Sequence, residues 1–525
     1  MKLPVDSGTL AKTVSTTASR DPLVVRTPAD GSRLGSVPHC LPADVEAAVE
    51  RARAAQADWS DTPVTERAAR LRAVGRTVLN NRTALAQTIC AETGKARRDA
   101  VEEVADVPLT AQYYAAEGPE MVRPKRRAGP LPLLSRTTER TVPLGVVGLI
   151  TPWNYPLTLV VSDALPALLA GNAVVIKADE RTPFTALYAA RLLHDAGIPE
   201  PLFQVVTGPG SELGEPLISA VDGVGFTGST AVGREVAALA GRELTPSSLE
   251  LGGKNPLVVL PDTDPVTAAK GTVQGAFASA GQLCIAIERA YVHTAVADAY
   301  REALVEATKG LALGVDGGWG TDMGSLLSHA QLRKTERHVT DAVERGATVL
   351  TGGSHRPEIG PWVYEPTILT EIPSEASMTR EETFGPVLAL HEVDSVEAAI
   401  TAANDSNYGL SASVWGADRD RARRVASQID CGTVNINEAY TAAWSSIDAP
   451  MGGMKDSGLG RRHGSQGLSR WTEPQTIAAQ RGLSLTPDWL PGELWITLVS
   501  SYLRGRIGLG ELSAWFRDQL PRRKR

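Results

Sequence analysis

Two side chains in this sequence could form and cleave a covalent intermediate. Glu250 stands beside a Gly pair in ELGGKNPLVVL, and Cys284 closes the stretch AFASAGQLC behind Gly281 and Gln282. A cysteine nucleophile and a carboxylate base are the minimum set for making and hydrolysing a thioester. A free thiol titrates near ~8.5, so such a site must favour the thiolate. Each residue also has a plain structural reading, a buried inert thiol and a surface or helix-capping Glu. The chemistry therefore depends on what the rest of the chain places around the pair.

The elements that would do so alternate. VVGLI leads into a Pro-bounded turn, PWNYP. LTLVVSDALPALLAG reads as a helix, NAVVIKADE as a buried strand, TPFTALYAARLLHDAG as a helix and LFQVVTG as a strand. The order β-α-β-α-β with continuous apolar strands predicts a parallel sheet covered on both faces. Such a sheet binds ligands at the carboxyl ends of its strands. GVGFTGSTAVGREVAALA reads as a strand, a Gly-rich turn and a helix whose N-terminus either favours phosphate or is simply a tight turn. It is not a GxGxxG fingerprint. After Cys284 a second alternating set follows, ending in SASVWGA, RDRARRVASQI and CGTVNIN. Upstream, PADVEAAVERARAAQADW carries Val45, Ala48, Val49 and Ala52 at helical spacing. The helices from there to about Tyr114 read as structural, with Cys90 a small core residue.

Composition bounds the alternatives. The chain has 525 residues, 42% hydrophobic and 22% charged, with net charge -7. That is a globular protein of two to three domains with no sequence-wide basic field for nucleic acid. Cys40, Cys90, Cys284 and Cys431 are too scattered for a structural zinc and fit a reducing cytoplasm. No metal site is expected, and neither a signal-peptide core nor a membrane-spanning run is seen.

Six motifs then stand in order: PWNYP (152–156), KADE (177–180), FTGSTAVG (226–233), LELGGKNP (249–256), GQLC (281–284) and EETFGPV (381–387). With them the chain resembles the aldehyde dehydrogenase superfamily over about residues 20–480. MGGMKDSGLGRRHG (451–464) looks closest to bacterial succinate-semialdehyde dehydrogenase-like members. The resemblance implies an α/β fold with a Rossmann-like cofactor domain, a catalytic α/β domain and a β-strand oligomerisation arm. Its expected boundaries are 20–125 and 145–252 for the cofactor domain and 253–440 for the catalytic domain. The arm is expected over 126–144 and 470–480, with a C-terminal extension over 481–525.

The resemblance also assigns roles. Cys284 would attack the aldehyde, Asn154 would donate to the oxyanion, and Glu250 would activate the hydrolytic water. A Glu in an apolar pocket has a raised pKa, which suits that task near neutrality. Lys177 and Glu180 match the adenosine-ribose pair, and Ser229 matches a pyrophosphate contact in a turn shaped by Gly228 and Gly233. Gly210 and Gly214 match a segment under the adenine. Trp153 matches a cofactor-side wall, and Glu382 the nicotinamide-ribose carboxylate, with Phe384 beside it. A carboxylate at position 180 favours NAD over NADP. However, Ala178 replaces the usual Pro and Arg181 could neutralise a 2′-phosphate, so NADP is possible. Expected substrate residues are Tyr155, Ile285, Tyr440, Trp444, Ser445 and Ser446.

The implied activity is NAD(P)-dependent oxidation of an aldehyde to a carboxylic acid, with succinate semialdehyde the first reading and apolar or aromatic aldehydes the alternative. A CoA-acylating or esterase-like enzyme, or a fold-retaining binding protein, are the rival classes. Presence of Glu250, Cys284 and Asn154 counts against them. Two departures matter. GAFASAGQLC lacks the Arg that one succinate-semialdehyde type carries shortly before GQxC. Arg462 replaces a common Glu and reads either as a surface cation or as a tunnel residue. A homodimer or homotetramer is expected. The basic segment 121–145 reads as a linker or a protruding hairpin. The tail mixes Trp, Leu, Ile and Arg and closes on Arg522, Arg523, Lys524 and Arg525. It suits peripheral membrane contact through residues 481–525, or covers a subunit or tunnel mouth. The expected location is cytoplasmic, with or without that membrane association.

Overall fold

VVGLI has no polar face to give to water, AVVIKA carries Lys177 as its one polar side chain, and both are buried throughout. They form the centre of a six-stranded sheet in a computed structural model that describes residues 1–16, 21–129, 135–481 and 489–519. Over 509–519 the backbone alone is described. The sheet order is Gly458–Leu459, Ser247–Glu250, Gly223–Thr227, Val146–Ile150, Ala173–Ala178, Phe203–Thr207. All neighbours are parallel except the first pair. The chain winds outward from Val146–Ile150 in one direction, then restarts on its other side with Gly223–Thr227. The crevice beyond the carboxyl ends of those two strands is the place such a sheet offers a ligand.

A second sheet of seven strands follows: Thr348–Thr351, Thr367–Thr370, Val387–Val393, Ile287–His293, Asn255–Val259, Ser411–Trp415, Thr433–Ile436. Only the pairing of Thr348–Thr351 is antiparallel. The expected pair of doubly wound sheets is therefore present. Helix starts follow local chemistry. Ser229 caps Thr230–Glu243 by accepting from Val232 N, and Asp264 caps Pro265–Phe277 by accepting from Thr267 N. The helix Thr158–Ala170 is buried along its whole length and ends on Gly171 at φ +105°.

Both sheets lie in one unit, Met1–Arg123 with Val142–Glu473. A second unit comprises Pro124–Thr141 and Pro474–Arg525. Within segment 121–145 the described residues pair as strands: Lys125–Arg127 runs antiparallel to Ser135–Pro143, and Thr472–Gln480 adds a third strand along the other edge of Ser135–Pro143. Beyond it a helix runs Gly492–Gln519. Trp489 before it and Leu494, Ile496, Leu498, Leu503 and Ile507 along it are exposed. Among the described residues no helix is long and apolar enough to cross a membrane. The terminal cluster Arg522 to Arg525 lies outside the described residues.

Candidate active site

The crevice at the switch between strands Val146–Ile150 and Gly223–Thr227 opens into a pocket. Pro152, Trp153 and Asn154 line it from the first strand, and Thr227, Gly228 and Ser229 from the second. Leu251, Gly252, Cys284, Gln331, Lys334, Glu382 and Phe384 complete it. The structure thus brings Cys284 and Asn154 together with five of the expected cofactor residues, Trp153, Gly228, Ser229, Glu382 and Phe384.

Cys284 sits on a loop that cannot relax freely. Ser279 and Ala280 adopt φ of 51° and 55°, followed by Gly281 at 70°. Left-handed backbone at two non-glycine residues costs roughly 1–3 kcal/mol each and persists only where the surroundings impose it. Here Asp99 accepts from Ser279 N at 2.9 Å. Gln282 Oε1 accepts from Leu327 N at 2.9 Å. Asn255 Nδ2 donates to the carbonyls of Cys284 and Ala286 at 2.8 and 2.7 Å, and its Oδ1 accepts from Ser411 N. Gly281 is required: a Cβ there would stand 2.1 Å from Gly385 O. Cys284 as a residue is only partly buried. Burial, followed by the nearby Glu250 carboxyl, pushes it up to about 12. The thiol therefore needs a base to lose its proton.

Asn154 is buried, and its Nδ2 donates to Gln282 O at 3.1 Å. That leaves its second amide hydrogen for another acceptor. Its own carbonyl accepts from Lys95 Nζ at 2.6 Å. Lys95 also pairs with Glu103 at 3.3 Å and stands 3.6 Å over the Tyr155 ring. Glu103 in turn accepts from Leu157 N and Thr158 N. The helix Arg97–Met121 was expected to be structural alone. It instead presents Asp99, Glu103 and Asp106 on one buried stripe, with Asp106 accepting from Ser162 Oγ. Spacing of i, i+4 and i+7 was a legible helical face, but nothing local marks a buried acidic face as supporting a site.

Glu250 ends the strand Ser247–Glu250 and is buried. Burial pushes its carboxyl up to about 8, opposed by Arg462 and Arg470. It lines a small internal cavity with Thr151, Asp163, Ser248, Arg470 and Trp471. Its Oε1 has no hydrogen-bond partner. Arg462 is neither a surface cation nor a free tunnel group. It is buried with Nη2 3.1 Å from Asp163 Oδ1, an oxygen shared with Arg470 at 3.0 Å.

The remaining expected cofactor residues lie along the same sheet. Lys177 Nζ is 3.3 Å from Glu180 Oε2. A Cβ on Gly210 would stand 3.7 Å from that Nζ, whereas one on Gly214 would meet nothing within 4 Å. A Cβ on Gly233 would strike Leu251, so Gly233 lets its helix pack against the LELGG segment. Arg181 forks onto Asp179 at 2.8 and 2.6 Å and stands 5.4 Å from the Trp153 ring, so its charge is already partnered. Phe384, at φ 54°, meets Trp153 edge-to-face at 5.5 Å. Glu382 accepts from Gly253 N at 2.8 Å, and burial pushes its carboxyl up to about 7. Sequence reasoning missed the brace beneath it. Glu288 pairs with Lys254 at 2.6 Å and accepts from Thr383 N and Phe384 N. Gln331 donates to Phe384 O at 2.6 Å.

Comparison with known proteins decides the family. The aldehyde dehydrogenase family model matches residues 14–477. The chain belongs to this family. It is 47% identical to a Mycolicibacterium smegmatis protein bearing the name of an NADP(+) succinate-semialdehyde dehydrogenase, over 90% of this chain and 92% of that one. A Deinococcus radiodurans succinate-semialdehyde dehydrogenase (NADP(+)) is 37% identical over 87% and 95%. Among solved structures, Staphylococcus aureus betaine aldehyde dehydrogenase in complex with NAD+ superposes with a TM-score of 0.86, at 29% identity, over 92% of this chain and 99% of that one. The chain is an oxidoreductase acting on the aldehyde group.

Its expected substrate residues divide. Tyr155, Ile285, Tyr440 and Trp444 form one apolar cluster with Leu159, Leu283 and Met451, against which Cys284 packs. Tyr155 OH meets Ser279 Oγ at 3.1 Å, and Tyr440 OH donates to Glu102 at 3.0 Å. Ser445 and Ser446 stand outside the cluster. Both are exposed, and their hydroxyls donate back to Thr441 O and Ala442 O at 2.7 Å.

Proposed function

We propose that the enzyme oxidises an aldehyde to a carboxylic acid with Cys284 as nucleophile, Asn154 as oxyanion donor and Glu250 as base. The observation that carries the assignment is convergence: Cys284 and Asn154 line one pocket at the sheet's switch point, and Glu250 ends the adjoining strand. Glu250, with an affinity for protons near neutrality, takes the thiol proton and releases it to solvent before the thioester is hydrolysed. The thiolate adds to the aldehyde carbon, and the oxyanion that results accepts from Asn154 Nδ2 and from Cys284 N–H. NAD(P), when bound, supplies the hydride acceptor. Loss of hydride leaves a thioester on Cys284. Glu250 then removes a proton from water, and the hydroxide displaces the thiolate to release the acid.

Lys177 and Glu180 would hold the adenosine ribose and Ser229 the pyrophosphate. Glu382 would hold the nicotinamide ribose, beside the Trp153 and Phe384 wall. The pocket fits the group, since Gly252 leaves Glu382 the room that a Cβ 2.9 Å away would remove. Glu180 supports NAD use, and the NADP(+) names of the relatives support NADP use. In this reading residues 20–125 and 145–252 carry the cofactor and 253–440 the nucleophile.

The relatives' names support succinate semialdehyde as substrate. A second reading, an apolar aliphatic or aromatic aldehyde, is supported by the apolar cluster against Cys284. NADH and NADPH formation from succinate semialdehyde, octanal and benzaldehyde separates them. A kcat/KM for succinate semialdehyde below that for octanal would overturn the first reading. The exposed strand Thr472–Gln480 supports assembly into a homodimer or homotetramer through residues 126–144 and 470–480. A monomer by light scattering would end that reading. Exposed Trp489, Ile496 and Ile507 beside Arg504 and Arg506 support peripheral contact of the extension with anionic lipid. Equal sedimentation of full-length and 481-truncated protein with phosphatidylserine vesicles would remove it.

A further inference from the structure

A second cavity, sharing no residue with the crevice, lies on one face of the seven-stranded sheet. Its floor comes from two paired strands. Arg289 and Tyr291 on Ile287–His293 stand opposite Ala389 and His391 on Val387–Val393. Their spacing of two along each strand puts all four on one face. Ile372, and Met378 from the short helix Ser377–Arg380, add apolar wall, as does Ala402 from the helix Val396–Asn404. The volume is about 90 Å³, several times what one water needs.

The charges lining this cavity do not cancel. Arg289 is only 4% exposed. Its Nε donates to Lys254 O at 2.9 Å, its Nη1 to Tyr291 OH and Ala402 O at 3.1 and 3.2 Å, and its Nη2 to Ala403 O at 3.1 Å. All four partners are neutral oxygens, and a guanidinium has a fifth N–H to give. Buried cations are ordinarily matched by an anion. The carboxylate lining the same cavity is Asp405, and both of its oxygens accept from Arg380 at 2.9 Å. The charges around it are balanced already: Lys254 pairs with Glu288 at 2.6 Å, and Lys455 stands 3.8 Å from Asp430. His391 stacks on Tyr291 at 5.2 Å, and burial, followed by Arg289 and Lys254, pushes its imidazole down to about 4, so it is neutral. Two guanidiniums against one carboxylate leave a single positive charge over an otherwise apolar wall. Arg380 and Asp405 are each more than half exposed. Exposed ion pairs of this kind contribute little, so a competing anion separates them at small cost.

We propose that this cavity is a binding site for a small monocarboxylate, whose anionic end supplies the charge that Arg289 lacks and displaces Asp405 from Arg380, while its short apolar body packs on Ile372, Met378 and Ala389. One excess positive charge matches a monoanion. A planar carboxylate matches the guanidinium fork. Carboxylic acids are also the class to which the product of aldehyde oxidation belongs, so the crevice is the competing place for such a ligand.

The test is calorimetric titration of sodium butanoate into the full-length protein at fixed ionic strength, with butanamide as the uncharged isostere. Two variants accompany wild type. Ala402→Phe places a ring in the cavity, and Asp405→Asn removes the internal competitor for Arg380. Wild type should bind butanoate saturably and bind butanamide at least about tenfold more weakly. Ala402→Phe should weaken butanoate by about tenfold or more while kcat for the aldehyde stays within about twofold. Asp405→Asn should tighten butanoate by about threefold or more, a direction that loosening of the fold would not produce. Absence of saturable butanoate binding overturns the proposal, as does equal binding of butanamide. Unchanged affinity in Ala402→Phe places the ligand in the crevice and overturns it too, and so does weaker binding in Asp405→Asn. Should Ala402→Phe not fold, Asp405→Asn still decides by direction.

Discussion

Around Cys284, polar groups are paired with protein partners at short range. Asn255 ties the Cys284 carbonyl, Asp99 ties Ser279 N, Gln282 ties Leu327 N, and Lys95 ties the Asn154 carbonyl. Around Glu250 the pattern reverses. Glu250 Oε1, Thr151 Oγ1, Arg462 Nε, Arg470 Nε and Trp471 Nε1 are buried without a hydrogen-bond partner. A satisfied network of hydrogen bonds fixes geometry, which is what an attacking sulfur and an oxyanion donor need. A fully satisfied carboxylate would be a poor base, because each donor it accepts from stabilises the anion and lowers its proton affinity. The front of the site therefore holds atoms still, and the back keeps a carboxyl group whose ionisation is finely balanced. The unpaired atoms at the back are costly on the scale of ~1–3 kcal/mol each. Native proteins keep such atoms mostly where function uses them.

Mutations on the two sides should separate accordingly. The largest effect falls on the proposed nucleophile: Cys284→Ala should abolish NADH formation by at least about four orders of magnitude, on the scale of losing a covalent nucleophile. Measurable single-turnover product in that variant would break the comparison at its root. Next comes the proposed base. Glu250→Gln should cut steady-state turnover by ~10²–10⁴-fold. It should also lose the acidic limb expected of wild type near pH 8, where burial pushes the Glu250 carboxyl. Activity in wild type should fall as pH drops through that value, because only the ionised carboxylate accepts a proton. A burst of NADH retained in stopped flow would locate the loss in deacylation.

Asn154→Ala should cost about 10²–10³ in kcat, near 2.7–4 kcal/mol of transition-state stabilisation, with no shift of the limb. A moved limb there would mean that the two walls are not separable. Asn255→Ala tests the scaffold more gently. It strands the buried carbonyls of Cys284 and Ala286 and should lower stability by roughly 1–3 kcal/mol, read by thermal or urea melting. The smallest effect belongs to the exposed pair: Ser445→Ala and Ser446→Ala should leave KM for succinate semialdehyde within about twofold, as exposed substitutions usually do. A large rise in KM would return them to the substrate path despite their exposure.

Much of this was legible in the amino-acid order. Uninterrupted apolar runs at 146–150 and 173–176 specified a sheet buried on both faces. The turn after the first of them put PWNYP at a strand's carboxyl end. Cys284, Glu250 and Asn154 stood out because thioester chemistry restricts which side chains can serve. Ser445 and Ser446 were chosen by type alone, and exposure separates them from the apolar cluster. The supporting residues were not legible. Asp99 and Ser279 are 180 positions apart, and Lys95 and Asn154 are 59 apart. No local periodicity connects them.

Residue types by themselves thus determined the alternation of strands and helices, the chemistry available and the two residues that could carry it. Tertiary structure alone decided the electrical state of those residues. Glu250 is an ordinary carboxylate in the sequence, and its proton affinity is pushed toward neutrality only because packing removes water from it, opposed by Arg462 and Arg470. Arg462 looked like a solvated cation, and the fold buries it against Asp163 from a helix nearly three hundred residues earlier. Proton affinity depends on dielectric surroundings and on charges close in space, and both are properties of the folded chain.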